Sequence, residues 1–167
     1  MSTFLGMPPY DKEVHIIMAL NWLKGKFDEV SSNLKTEVTK IKNKDLLEGI
    51  IAGCTLVAYA DSVVKPEEKQ KMMGFLKTSD VLSVFDTGDV IKLFEKFSDQ
   101  FEFDHAIGEA NALQAISKVK KKEAEARLLV RVCCAIGASD GDFDNAERKV
   151  VSKICSELGL NPADFDL

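Results

Sequence analysis

The chain has 167 residues, 46% of them hydrophobic and 29% charged, and a formal net charge of −5; these values fit one folded domain with a real core and exclude disorder and collagen-like repeats. The mild acidity removes the bulk attraction for nucleic-acid phosphates, so no nucleic-acid partner is expected. Its 10 glycines and 4 prolines are too few for an all-β chain full of tight turns.

Met1 to Pro9 has neither a basic start nor an apolar stretch, so it does not read as a secretory signal, and Pro8-Pro9 marks a short arm. Ile16, Leu20, Leu23, Phe27, Val30 and Leu34 then fall on one helical face. Its first part, Glu13 to Lys26, sets Trp22, Lys24 and Lys26 beside the apolar residues. That suits peripheral membrane contact through residues 13–26 or packing into a core or partner groove, and the weak basicity favours packing. The pattern weakens at Ser31-Ser32-Asn33, where a break or bend fits, and resumes through Val38 and Ile41. Asp45 is the expected cap of the next helix, which carries Leu46, Leu47, Ile50, Ile51, Cys54 and Val57.

Pro66 suits a first helical position, with Glu67 and Glu68 set favourably against the helix dipole. Ser79 fits the cap of a short turn, and Asp86 or Thr87 the start of a helix holding Val90, Ile91, Leu93, Phe94 and Phe97. Further helices are expected over residues 104–119, 123–138 and 145–158, the last closed by Gly159. Asn161-Pro162 starts a final turn. No β-branched alternating run marks a strand, and no apolar run approaches the ~20 residues of a membrane span. The expected fold is all-α: a single helical domain of about seven to eight helices with antiparallel neighbours.

The 4 cysteines, Cys54, Cys133, Cys134 and Cys155, lie in apolar helical surroundings without a CxxC spacing. They read as small buried hydrophobes in a reducing cytoplasm, not as a disulfide or zinc framework. His15 and His105 neighbour no obvious nucleophile, and no GxSxG, P-loop or HExxH occurs, so an enzyme is not expected. The cluster Lys118, Lys120, Lys121 and Lys122 reads as a solvated helix end.

A weak internal repeat is the most informative feature. At a constant offset of 79 residues, Cys54 pairs with Cys133, Val57 with Ile136, Asp61 with Asp140, Val64 with Phe143, Glu68 with Glu147, Lys69 with Arg148 and Met72 with Val151. Each copy reads as an apolar helix, a loop opening on Asp, and a helix with Glu in its first turn. Two such hairpins would pack about a pseudo-twofold axis. Capping accounts for the glutamates, since Asp144 with Glu147 has capping-box spacing. It does not account for Asp61 and Asp140, whose charge opposes the negative end of the preceding helix. Asp140, Asp142 and Asp144 alternate in the second loop, the oxygen chemistry a hard divalent cation prefers, Ca²⁺ or Mg²⁺ first, although the spacing is not that of an EF-hand. The expected ligands are Asp61, Asp140, Glu68 and Glu147, then Asp142 and Asp144. A metal-free interaction scaffold with an acidic surface is the alternative, and a metal-dependent hydrolase a weaker one.

Several blocks also carry a family resemblance: Glu67 to Leu76, Val84 to Thr87, Phe101 to Asp104, Ser139 to Asp144 and Leu158 to Phe165. In order, they resemble the tellurite-resistance family TerB, over residues 27–167, with residues 1–26 as an N-terminal extension. The resemblance implies two similar helical halves and a cytoplasmic stress-response role linked to tellurite, phage and colicin resistance. It also implies a metal-linked sensor or scaffold partnering the membrane protein TerC and other tellurite-resistance proteins at the inner membrane. The family's acidic metal positions fall on Asp61, Glu68, Asp140 and Glu147. The family has Asp-Gly in both loops, whereas this chain has Asp140-Gly141 but Asp61-Ser62.

Overall fold

A computed structural model of the chain describes residues 32–61, 64–137 and 144–167. In chain order its helices are α1 (32–41), α2 (Lys44–Ala58), α3 (Pro66–Thr78), α4 (Thr87–Phe103), α5 (His105–Ser117), α6 (Glu123–Gly137) and α7 (Asn145–Leu158), with 3-10 turns at Leu82–Val84 and Pro162–Phe165. No strand occurs among the described residues, as expected for an all-α domain. The segment 13–26, with its membrane or packing reading, lies outside them.

Helix α2 is the axis of the bundle. It buries 11 of its 15 residues, and a helix apolar nearly all round has to be surrounded. Helices α4, α5, α6 and α7 all pack on it. The others bury one face each: Phe94, Phe97 and Phe101 on α4, Leu128, Leu129 and Cys133 on α6, and Val151, Ile154 and Leu158 on α7. Fully burying one such side chain contributes about 1.5–3 kcal/mol. Close approach needs small residues: a Cβ on Gly108 of α5 would lie 2.6 Å from the Phe101 Cα of α4.

The local start and stop signals act where they are expected. Pro66 opens α3. The Asp86, Asp104 and Asp144 carboxylates accept from the backbone N–H three residues on, at 3.0, 3.1 and 2.8 Å. Gly159 closes α7 with φ 69°, the left-handed conformation that glycine adopts without penalty. Residues 32 and 33 are helical, and Ser31, the first residue of the expected break, lies outside the described residues. One detail differs. The cap of α2 is Asn43, not Asp45: Asn43 is extended and its Oδ1 accepts from Leu46 N at 2.8 Å, while Asp45 sits in the first turn. Asn43 Nδ2 also donates to Oε1 of the buried Glu125 on α6 at 2.9 Å, so the chain entry to α2 is fixed by a residue far along the sequence.

Candidate functional site

Residues from both copies of the sequence repeat line a cleft of about 560 Å³. The first copy contributes Cys54, Val57, Asp61, Val64, Glu68 and Met72, and the second Cys133, Ile136, Asp144 and Glu147. Cys54, Val57, Cys133 and Ile136 are buried and form the floor; Asp61 and Glu68 are exposed, and Asp144 and Glu147 are half-buried at the rim. Four of the six expected carboxylates thus share one cleft. The other two, Asp140 and Asp142, lie outside the described residues, as does Ser62.

Each helix start holds part of this rim in place. Asp144 Oδ1 accepts from Glu147 N at 2.8 Å, and Glu68 Oε2 accepts from Lys65 N at 3.4 Å. A cap engages one of a carboxylate's two oxygens. Asp61 lies beyond the Tyr59 C-cap of α2 and is exposed. Solvent therefore screens it from the helix end, and the unfavourable dipole is a weaker argument for a cation than the sequence suggests. Among the described residues, no three His, Cys, Asp or Glu side chains stand close enough to hold a metal ion. Lys71 also lines the cleft, adding a positive charge at its edge.

A second polar network braces the first loop, and periodicity alone does not reveal it. Tyr59 donates to Glu102 Oε1 at 3.0 Å, and Lys69 Nζ reaches the same oxygen at 3.0 Å. Tyr59 stacks on Phe101 with centroids 4.9 Å apart, and His105 Nε2 lies 3.2 Å from the Tyr59 carbonyl. Burial, then the Glu102 carboxylate, push the Tyr59 hydroxyl up to about 12. The Lys69 ammonium holds Glu102 below the usual carboxylate range. These residues join α2, α3 and α4 beside Asp61. The signal available in the sequence is Lys69 itself, next to Glu68 and matched by Arg148 in the repeat.

All four cysteines are free thiols; Cys54, Cys133 and Cys155 are buried and Cys134 is half-buried. The Cys54 thiol and then burial push the Cys133 thiol well above the usual range. Burial pushes Cys134 up to about 12 and Cys155 up to about 11. These are protonated groups rather than ready nucleophiles. Among the described residues, no helix is long and apolar enough to cross a membrane.

A family profile described as Tellurite resistance protein TerB matches residues 47–167. A curated relative, the Tellurium resistance protein TerB of Alcaligenes sp, is 39% identical over 110 residues, which cover 66% of this chain and 90% of the relative. No solved structure matches the chain.

Proposed function

Because the chain belongs to the TerB family of tellurite resistance proteins, we propose that its acidic cleft binds a divalent cation as part of a cytoplasmic stress-response sensor or scaffold that binds rather than catalyses. One observation carries this reading: carboxylates from both copies of the repeat, Asp61 and Glu68 with Asp144 and Glu147, line the same cleft. Oxygen-only donors select hard cations, Ca²⁺ or Mg²⁺. Asp140 and Asp142 belong to the same proposed set. A cation drawn between the two hairpins would couple its own binding to their spacing, which is what a sensor needs. Its partners would then be proteins, TerC and other tellurite-resistance proteins among them.

The test is calorimetric titration of the metal-stripped protein with Ca²⁺, Mg²⁺, Mn²⁺ and Zn²⁺, with melting followed in parallel. The expected result is saturable binding of a hard cation. At a hundredfold excess over Kd it stabilises by about 2.7 kcal/mol, a melting shift on the order of 5–11 °C. The combined variant Asp144→Asn, Glu147→Gln should lose the response. Absence of both heat and shift would sink the cation reading. The metal-free scaffold would then stand, a reading that the engagement of Asp144 and Glu68 in helix starts favours.

A further inference from the structure

The carboxylates account for the rim of the cleft and leave its floor unexplained. Cys54 on α2 and Cys133 on α6 both line it, each 1% exposed, and the Cys133 Sγ packs against α2 at Gly53, the residue next to Cys54. A third sulfur, the Met72 thioether of α3, lines the same cleft. The backbone is fitted to this arrangement. A Cβ on Gly53 would lie 2.5 Å from Cys133 Sγ, so the glycine gives that sulfur room against α2 beside Cys54. Glycine inside a helix costs about 1 kcal/mol relative to alanine, and here it is sited where the sulfur needs the room. Cys134 and Cys155 do not line the cleft.

Two adjacent thiols at the base of an open cleft, with a thioether nearby, are a donor set for soft cations; hard cations prefer the oxygens above them. We propose that Cys54 and Cys133 form a two-thiolate site for a soft monovalent cation of the Cu⁺ type, with Met72 as an adjacent thioether donor. Binding breaks both S–H bonds and forms two S–Cu bonds; two protons pass to solvent and the metal stays monovalent. Metal binding displaces the protons that the thiols carry, which makes the affinity pH-dependent. The site uses none of the rim carboxylates and stands whether or not the rim binds a divalent cation.

The experiment is anaerobic transfer of Cu⁺ to the reduced full-length protein from a coloured Cu⁺ chelator, with X-ray absorption on the loaded protein. One Cu⁺ per chain is expected, with sulfur neighbours and a thiolate-to-copper band in the near ultraviolet. Cys54→Ala and Cys133→Ala should each lower retention at least tenfold, while Cys155→Ala and the variant Asp144→Asn, Glu147→Gln keep it. Conversely, the Cys54→Ala, Cys133→Ala double variant should keep any Ca²⁺ response, so failure of one site is distinguishable from failure of the other. Retention by the chelator, nitrogen or oxygen neighbours in the absorption spectrum, or full uptake by the cysteine variants would each overturn the proposal. If circular dichroism finds the alanine variants unfolded, the wild-type neighbours decide: sulfur supports the site, and nitrogen or oxygen removes it.

Discussion

The two copies of the repeat present similar residues to the cleft, yet they are held in the molecule by different forces. Helix α7 buries Val151, Ile154, Cys155 and Leu158 and packs on α2, α5 and α6. Helix α3 buries Leu76 alone and leans on α4 and the Leu82–Val84 turn. Even the matched cations diverge. Lys69 reaches across to Glu102 on α4, whereas Arg148 donates to the Asp166 carbonyl at the C-terminal turn at 2.8 Å. Repeat symmetry in a sequence therefore conserves what faces the shared site more closely than what supports it.

The sharpest way to break that comparison is to truncate matched positions. Ile154 is fully buried on α7 and its repeat partner, Phe75 on α3, is half-buried. Ile154→Ala should cost about 2–5 kcal/mol in urea melts. Phe75→Ala should cost roughly 1–2 kcal/mol despite the larger side chain, because less area leaves water. Equal costs would mean that α3 is anchored as firmly as α7.

A smaller effect separates the two helix starts. Asp144→Ala should remove about 1 kcal/mol, since the 2.8 Å cap to Glu147 N is lost. Glu68→Ala, whose contact to Lys65 N is longer and exposed at 3.4 Å, should change stability by a few tenths of a kcal/mol at most. Chemical denaturation of both in metal-free buffer checks this, and a larger loss for Glu68→Ala would reverse the assignment.

The smallest effect is confined to alkaline solution. The Tyr59 hydroxyl is raised from 10.0 to about 12, so above pH 10 the unfolded chain gives up this proton first and the folded chain keeps it. The stabilisation is complete below pH 10 and is lost as pH rises toward 12. The advantage of wild type over Tyr59→Phe in thermal melts should shrink across that window. A constant difference from pH 8 to 12 would refute the link.

Much of this architecture was readable beforehand because its signals are local. Pro66, Asp86, Asp104, Asp144 and Gly159 act within a turn of themselves, and the helices begin and end on them. The cap of α2 escaped because Asn43 and Asp45 are equally plausible in isolation; the choice is tied to Glu125, 82 residues away. The same division holds at the site. The 79-residue offset pairs Glu68 with Glu147, and both line one cleft with Asp61 and with Asp144, which the alternating acidic loop singled out. The offset marked Lys69 through its match with Arg148 but not its partners Tyr59 and Glu102, which belong to other parts of the fold. Nor did reading the cysteines as core filler reveal that Cys54 and Cys133 face one cleft, because they come together only once α2 crosses α6 over Gly53.

The support of α3 has one more consequence. One wall of the cleft is held by packing and the other partly by charge, since Lys69 binds Glu102 at a partly exposed contact of 3.0 Å. Such contacts weaken as dissolved ions screen them over a Debye length of about 8 Å at physiological strength, while the α7 wall, being apolar, does not respond in that sense. Rising ionic strength should therefore loosen the α3 wall before the α7 wall.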